Sequence, residues 1–350
     1  MTDSLKQDRD HVLAHTPALW EPLRGQQIFM TGGTGYVGTW LVESLLWADE
    51  HLKLNVKITL LTRNPAGFRR RVPHVAGHPS VQLLEGDACS FEYPEGEFSF
   101  VVHGATERTF DATKEQPLAT FDRDLQATRH ALEFARTHKT RRLLFTSSGA
   151  VYGKQPEHLT HIPEDYNGAP FPSDTRSAYG QGKRASEFMC AMYARQYGFD
   201  AAIARLFAQV GPYLPLDENY AVGNFIGDIL AGRPVRISGD GTTRRSYLYG
   251  ADLAIWLWTM LIRGESAHPY NVGSGEDLSI AELARLVVEE TDCKLPIETA
   301  QEPVPGAPPS RYVPSVERAE RELGLRPWIG LAEGIRRTYA WNRQVTAMER

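Results

Sequence analysis

The sequence predicts an α/β fold, with a doubly wound parallel sheet and a small C-terminal α/β lobe that binds substrate. Short apolar runs typical of buried strands recur between Gln27 and Leu206 and alternate with stretches of helical periodicity. A glycine-rich turn follows the first run directly. After about residue 211 the composition changes to irregular, proline-containing segments. Alternating strands and helices are typical of a parallel sheet that is covered on both faces.

The predicted elements divide the chain into three parts. Residues 1–24 are an N-terminal extension, helical to about His15, because Pro17 and Pro22 disfavour a helix beyond that point. Residues 25–210 form the sheet domain, and 211–350 form mainly the lobe, with some return to the main sheet. The predicted strands are 28–30, 56–61, 81–84, 100–102, 143–145 and 201–206, and the two long helices are 118–137 and 178–197.

Composition and charge exclude several classes of function. The 350 residues carry a net charge of −5, which gives no support to a nucleic-acid or membrane-surface partner. The three cysteines, Cys89, Cys190 and Cys293, lie far apart, so we expect neither a disulfide framework nor a metal site. The polar N-terminus and short apolar runs predict a soluble, cytoplasmic protein. We interpret the basic cluster 69–71 as a solvated loop.

The glycine-rich turn predicts a Rossmann-type dinucleotide site. Gly32, Gly35 and Gly38 stand three residues apart between a strand and a helix, the context that a dinucleotide turn requires. The first glycine permits a tight turn, the second admits the pyrophosphate, and the third lets the helix pack closely. The amides at the helix N-terminus, which begins with Tyr36 and Val37, favour phosphate binding.

The end of the second predicted strand bears on which dinucleotide binds. An acidic residue there accepts hydrogen bonds from the ribose hydroxyls of NAD, whereas an arginine pairs with a 2′-phosphate. Thr62 and Arg63 occupy this place, which favours NADP(H) among the NAD(P) cofactors. In the alternative interpretation Arg63 stacks on adenine or faces solvent. Asp87, next to Ala88 after the third strand, is placed to accept from the adenine amino group.

A tyrosine and a lysine predict the chemistry. Tyr179 and Lys183 are four residues apart on a predicted helix and therefore share one face. A phenol has a pKa near 10, and a neighbouring ammonium group favours the phenolate that a base needs. Ser148 ends the fifth strand, where ligands bind in doubly wound sheets, and can hydrogen-bond the reacting oxygen. We therefore assign catalysis to these three residues.

These motifs resemble those of the extended short-chain dehydrogenase/reductases that act on nucleotide sugars, the NAD-dependent epimerase/dehydratase group. The resemblance extends from Gln27 to about Trp341 and includes segments 101–105, 205–212, 239–247 and 270–273. It implies a nucleotide-diphosphate sugar as substrate and a homodimer formed by the two long helices. An epimerase of this group should retain its dinucleotide through purification, whereas a reductase should exchange it freely. The residues assigned by it are Gly104, Ala105, Thr106 and Ser147 for the cofactor, and Glu107, Asn224, Gly211, Arg245 and Ser148 for the substrate, with Arg245 on the diphosphate.

Departures from the family pattern narrow the reaction. Gly149 and Ala150 stand where 4,6-dehydratases of this family usually carry an aspartate and a glutamate, and decarboxylases usually have a glutamate at position 150. The pattern favours C4 epimerisation through a 4-keto sugar. Ala208 replaces an asparagine common in the substrate loop, so we expect unusual nucleotide contacts.

Three alternatives remain open. The first is an NADPH-dependent 4-ketoreductase, which Thr62 and Arg63 would suit. The second is a dehydratase whose acid and base are relocated, with Glu107, Glu164 and Asp165 as candidates. The third is a catalytically silent dinucleotide-sensing scaffold. We interpret Glu164 and Asp165 as a solvated loop.

Overall fold

The computed structural model describes residues 3–106, 116–218 and 220–348. Its centre is a parallel sheet whose strands are formed by short apolar segments of the sequence. Runs such as Ile28–Met30 are apolar throughout, as strands buried on both faces must be. The strands are β1 (Gln27–Thr31), β2 (Lys57–Thr62), β3 (Val81–Glu85), β4 (Phe100–His103), β5 (Arg142–Ser148), β6 (Asp200–Leu206), β7 (Gln209–Val210), β8 (Val235–Ile237), β9 (Arg244–Ser246), β10 (Leu248–Tyr249), β11 (Pro269–Val272), β12 (Asp277–Ser279), β13 (Ile297–Thr299) and β14 (Arg311–Tyr312).

The strand order creates the crevice that holds the candidate site. Within the described ranges, the main sheet has seven strands in the order β11-β6-β5-β4-β1-β2-β3, all parallel. From β1 the chain runs outward to β3 and then returns to β4 on the other side of β1. This reversal is a topological switch point, where ligands bind beyond the carboxyl ends of the strands.

Helices cover both faces of the main sheet. The helices are α1 (Asp3–His15), α2 (Tyr36–Leu52), α3 (Pro65–Arg71), α4 (Pro73–Ala76), α5 (Pro117–Thr137), α6 (Ala178–Tyr197), α7 (Ala221–Leu230), α8 (Gly250–Arg263), α9 (Ile280–Glu290), α10 (Glu317–Leu323) and α11 (Leu331–Met348), with short 3-10 turns at Glu21–Leu23, Gly149–Tyr152 and Thr175–Ser177. The observed bounds of α5 and α6 agree with the two long predicted helices to within one residue.

Two apolar clusters form the core, one on each face. On one face α1, α2 and α8 pack over strand residues such as Ile28 and Val102, and Trp256 and Trp258 are fully buried there. On the other face α5 and α6 cover Phe29, Val101 and their neighbours. Adjacent strand residues thus face opposite clusters, as the two-residue period of a strand requires.

The C-terminal part contributes both to the main sheet and to a smaller lobe. Strand β11 pairs with β6 and so extends the main sheet. The lobe contains the pairs β10-β7 and β13-β8 and the three-stranded β12-β9-β14. Helix α1 of the N-terminal extension packs on α2 and α8. None of the helices in the described ranges is long and apolar enough to cross a bilayer.

Candidate active site

The glycine-rich turn between β1 and α2 brings backbone close to backbone. Gly32 has φ +71°, and a Cβ there would lie 2.4 Å from the carbonyl carbon of Gly104. A Cβ on Gly38 would lie 2.3 Å from the carbonyl oxygen of Gly32. Gly35 is the N-cap of α2, so no side chain of the N-cap residue occupies the first amides of the helix. This arrangement fits the pyrophosphate of a dinucleotide.

Two arginines lie at the end of β2. Arg63 is exposed, directly after Thr62. Arg71 ends α3 and donates a hydrogen bond to the carbonyl oxygen of Thr34 in the glycine-rich turn. Both guanidinium groups line the same cavity as the turn. The solvated-loop interpretation of residues 69–71 is therefore wrong in its secondary structure, because Asn64 caps a helix by accepting from the amide of Gly67.

Asp87 is already engaged by the protein. Its carboxylate accepts from Arg123 at 2.8 Å and from the amide of Cys89 at 2.9 Å. Partial burial alone would raise the pKa of this carboxyl, but these two hydrogen bonds lower the pKa of Asp87 to about 2. Ala88, rather than Asp87, lines the cavity. The predicted contact of Asp87 with adenine stays a prediction.

Helix α6 presents Tyr179 and Lys183 to the cavity on one face. The Lys183 ammonium lies 5.8 Å from the centre of the Tyr179 ring and donates to the carbonyl oxygen of Thr146 at 3.2 Å. Burial raises the pKa of Tyr179 to about 12, whereas hydrogen bonding with Ser148 and Thr106 favours the phenolate. Burial lowers the pKa of Lys183. The lysine is thus held beside the phenol of Tyr179.

A second carboxylate, missed by the sequence reasoning, borders this pair. Asp124 on α5 is buried, accepts from the Thr106 hydroxyl at 3.3 Å, and lines the cavity. Its negative charge raises the pKa of both Tyr179 and Lys183. It therefore favours the ammonium form of the lysine and opposes the phenolate form of the tyrosine.

Ser148 ends β5 and caps the 3-10 turn that follows. Its hydroxyl oxygen accepts from the amide of Ala150 at 3.2 Å and lies 3.3 Å from the hydroxyl of Tyr312. Ser147 also lines the cavity, but its hydroxyl donates to Glu187 at 2.5 Å. Glu187 in turn holds Arg205 in a buried ion pair at 2.7 Å. This network ties β5 and β6 to α6.

Gly149 and Ala150 carry no acidic or basic side chain, and at position 149 there is no space for a side chain. A Cβ on Gly149 would lie 2.5 Å from the ring of Phe207. Neither Phe207 nor Tyr312 was singled out as a site residue by the sequence reasoning. Phe207 belongs to a segment quoted for the family resemblance, but nothing local shows that its ring covers Gly149.

The structure places only some of the predicted substrate-binding residues around the cavities. Arg245 lines the main cavity, with its guanidinium 5.3 Å from the centre of the Tyr312 ring. Asn224 lines an adjoining cavity of 330 Å³, and within the described part of the chain its buried carbonyl oxygen has no hydrogen-bond partner. Gly211 lines neither cavity and instead approaches Tyr36 and Gly250. Glu107 lies outside the described residues.

Glu164 corrects a further expectation. The solvated-loop interpretation is wrong for this residue, because its carboxylate is buried and accepts from the amide of Asn271 at 2.9 Å. Burial raises its pKa, with Arg318 acting in the opposite direction. Asp165 is exposed. Glu164 therefore supports β11, and it does not line either cavity.

These groups surround a cavity of 710 Å³ at the switch point, a size that holds a cofactor together with a substrate. The residues assigned to the cofactor line it, apart from Gly38 and Asp87: Gly32, Gly35, Tyr36, Val37, Thr62, Arg63, Ala88, Gly104, Ala105, Thr106, Ser147, Tyr179 and Lys183. Within the described ranges, no group of His, Cys, Asp and Glu side chains could hold a metal ion.

The fold and the site together define an enzyme of the extended short-chain dehydrogenase/reductase class. Residues 28–273 match the NAD dependent epimerase/dehydratase family, and the chain belongs to that family.

Sequence relatives include UDP-glucuronic acid decarboxylases. The Xenopus tropicalis enzyme 1 is 29% identical over 91% of this chain and 72% of its own length. The Arabidopsis thaliana enzyme 1 is 30% identical over 89% of this chain and 68% of its own.

Similar solved structures include enzymes of different reaction types. The UDP-glucose 4-epimerase of Thermotoga maritima with UDP-glucose superposes with a TM-score of 0.77 at 21% identity, over 92% of this chain and 100% of the other. The dTDP-glucose 4,6-dehydratase of Streptomyces venezuelae with NAD bound gives 0.78 at 24%, over 92% and 98%. At these identities the likeness shows the fold.

Proposed function

We propose that the protein is a nucleotide-sugar 4-epimerase that acts through a 4-keto intermediate. One observation carries the proposal: Tyr179, Lys183 and Ser148 meet in the cavity, while positions 149 and 150 offer no carboxyl group. Such a site can oxidise a sugar hydroxyl and reduce the ketone again. It lacks, at those positions, the groups that would remove water from the keto sugar.

Three residues of the chain would each have a separate role in the transfer of the proton. Tyr179 takes the proton from the C4 hydroxyl and returns it to the inverted product. Lys183 lowers the cost of the phenolate by its charge. Ser148 hydrogen-bonds the same oxygen and keeps it within reach. A nicotinamide dinucleotide bound along the glycine-rich turn supplies the hydride acceptor and donor.

The substrate side of the site supports a nucleoside diphosphate. Arg245 offers a guanidinium fork of the kind that binds phosphate oxygens. The Asn224 oxygen, which has no hydrogen-bond partner among the described residues, can accept a hydrogen bond from a nucleobase or ribose in the adjoining cavity. Both cavities share Ala208, Gln209 and Tyr220 as well as Arg245, so one extended ligand can occupy both.

For the cofactor we propose a preference for NADP(H). Arg63 and Arg71 stand beside the glycine-rich turn, where the adenosine ribose of the dinucleotide would lie. No acidic side chain occupies the end of β2, where residues 62–64 are Thr, Arg and Asn. Two guanidinium groups favour a 2′-phosphate over a 2′-hydroxyl.

Decarboxylation of UDP-glucuronic acid is the second candidate. The relatives that bear this name favour it. Oxidation at C4 of a glucuronic acid gives a β-keto acid, which loses carbon dioxide readily. The same three catalytic residues would serve, without a carboxylate at position 150.

A panel of nucleotide sugars tests the proposal. The protein is incubated with UDP-glucose, UDP-glucuronic acid, dTDP-glucose, GDP-mannose and CDP-glucose with no cofactor added, and products are analysed by mass spectrometry and proton NMR. We expect a product of unchanged mass with an inverted C4 proton coupling, and its complete loss in Tyr179→Phe. Tyr166→Phe is the matched control, because Tyr166 lies outside both cavities.

Other products would show that the protein catalyses a different reaction. Loss of carbon dioxide from UDP-glucuronic acid alone would establish the decarboxylase, and loss of water would establish a dehydratase. Inertness until NADPH and a 4-keto sugar are supplied would establish the reductase. The dinucleotide released by denaturation is identified in the same samples, and NAD without NADP would overturn the cofactor preference.

A further inference from the structure

Gln209 lies where the two cavities meet. It lines both the 710 Å³ cavity and the adjoining 330 Å³ cavity, together with Ala208, Tyr220 and Arg245. It is only 8% exposed. Burying a side-chain amide is costly unless the amide makes hydrogen bonds. A glutamine at this place therefore calls for a partner.

The strand that carries Gln209 sets the direction of its side chain. β7 pairs with β10 over Gln209 and Val210. Val210 is fully buried in the apolar core and packs towards α11, where a Cβ on Gly334 would lie 3.2 Å from its Cγ1. Successive residues of a strand point to opposite sides. Gln209 therefore points away from this core and towards the cavities that it lines.

The protein itself leaves the amide of Gln209 available. Within ranges 3–106, 116–218 and 220–348, no residue forms a hydrogen bond with its side chain. Ala208 has no polar side-chain group, whereas Arg245 brings a guanidinium to the same junction. The junction thus presents a cation and a neutral amide to any ligand that extends from one cavity into the other.

The part of the substrate that would lie at this junction follows from the position of the reacting groups. Tyr179 and Ser148 line the main cavity, so the sugar must lie there. The nucleoside then occupies the adjoining cavity, and the diphosphate that joins the two crosses the junction. Phosphate oxygens accept hydrogen bonds, and the side-chain amide of glutamine has two N–H donors. Hydrogen bonds to a charged acceptor are also the stronger kind.

We propose that Gln209 is a further substrate-binding residue, whose side-chain N–H groups donate hydrogen bonds to the diphosphate of the nucleotide sugar beside Arg245. The inference rests on the proposed action on nucleotide sugars. The diphosphate does not change during the reaction, so this contact is equally strong in the ground state and in the transition state. Gln209 consequently contributes to substrate affinity and not to kcat.

Gln209→Leu tests the inference because it removes the amide and keeps a side chain of similar volume. The protein with its dinucleotide bound is titrated calorimetrically with UDP, dTDP, GDP and CDP. We expect each diphosphate that the wild type binds to bind about tenfold more weakly, since a hydrogen bond to a charged group is lost. Gln209→Glu should weaken binding further, because its carboxylate repels the diphosphate. Gln7→Leu is the matched control, since Gln7 is exposed on α1.

A second set of readouts distinguishes this contact from a structural role. Binding of NADP or NAD should be unchanged in both variants of Gln209, and equal weakening of dinucleotide and diphosphate would overturn the inference. For any sugar that the wild type converts, KM should rise by the same factor while kcat stays within twofold. If Gln209→Leu does not fold, Gln209→Glu decides the outcome, because it keeps the shape of the side chain.

The titration also separates this inference from the proposed function. Diphosphate binding within twofold of the wild type in both variants overturns the inference while the proposed function stands. A loss that depends on the base, or a wild type that binds no diphosphate, overturns it as well. If the wild type binds UDP but converts no nucleotide sugar, the proposed function fails, and the effect of Gln209→Leu on UDP binding still decides the contact.

Discussion

His103 is a buried titratable side chain directly beneath the candidate site. Its ring nitrogens lie 2.7 Å from the hydroxyl of Thr31 and 3.2 Å from that of Thr128. Burial lowers the pKa of His103 to about 3, and the charge of Lys183 acts in the same direction. The folded protein therefore holds this imidazole neutral, whereas the unfolded chain protonates it near pH 6.5.

This difference predicts a pH-dependent contribution to stability. The unfolded state binds the extra proton between pH 6.5 and 3, so the free energy of unfolding falls as pH decreases through that range. From pH 7 to pH 5 His103 should cost about 2 kcal/mol. We expect His103→Asn to be less stable at pH 7 but to lose about that much less than wild type on acidification.

Urea unfolding at pH 7 and pH 5 provides the measurement. His158→Asn is the control, because His158 is exposed and should leave the pH dependence unchanged. An equal loss of stability in wild type and His103→Asn would contradict the prediction.

Sequence reasoning identified some of the residues that line the cavity and missed others, for a physical reason. Tyr179, Lys183 and the glycines are marked by spacing within one element, which a linear pattern preserves. Tyr312 contacts Ser148 from 164 residues further along the chain, after a proline-rich stretch without periodicity. Glu164 was misjudged because the loop around it is covered by distant strands that its own sequence does not reveal.

At the scale of elements, helix α1 joins the two ends of the described chain. Asp8 is fully buried and accepts from the hydroxyl of Tyr249 at 2.7 Å. Its other carboxylate oxygen accepts from Arg337 on α11. The N-terminal extension is therefore part of the core packing, and the carboxylate of Asp8 satisfies two buried groups at once.

Asp8→Ala should be strongly destabilising. It leaves the Tyr249 hydroxyl without its acceptor and removes the buried partner of Arg337, whose Nε keeps its bond to Glu333. Breaking a buried pair in this way costs about 3–5 kcal/mol. Asp10→Ala, on the exposed side of the same helix, should cost about 1 kcal/mol or less. Urea unfolding followed by tryptophan fluorescence gives both values. Equal losses in the two variants would show that the buried pair contributes little.

Six of the seven main-sheet strands in the described chain were predicted, whereas β11 and the strands of the lobe were not. The six predicted strands match β1 to β6, because each is a short, mainly apolar run with a turn or helix signal beside it. The lobe strands have two or three residues each, which is too few to show the two-residue alternation of a strand in the sequence. Their pairing depends on contacts between distant segments, as in β9 with β14.

At the scale of the whole molecule, α5 and α6 form an outer face with exposed apolar side chains. Leu118 on α5 is 72% exposed and Phe188 on α6 is 66% exposed, and Met192 and Tyr197 on α6 are also exposed. Side chains of this kind on two packed helices are typical of an interface between protein copies. The face supports the homodimer that the family resemblance implies.

We therefore expect a dimer in solution, and a monomer when Phe188 is replaced by aspartate. A buried, unpaired carboxylate at such an interface is costly. Analytical ultracentrifugation measures the association directly. Val304→Asp is the control, since Val304 is equally apolar and 68% exposed but lies in the lobe. A monomeric wild type, or a dimeric Phe188→Asp, would reject this interface.

The ring of Phe207 also limits how this chain can diversify. A carboxyl group at position 149, as in the dehydratases of the family, would collide with it. Overpacking of this kind is destabilising, so the new side chain is harmful until Phe207 has become smaller. Shrinking Phe207 first would leave a void beside Gly149 and loosen the wall on which Tyr312 rests. Either order of substitution passes through a destabilised protein, so this contact disfavours the replacement of Gly149 by an acidic residue.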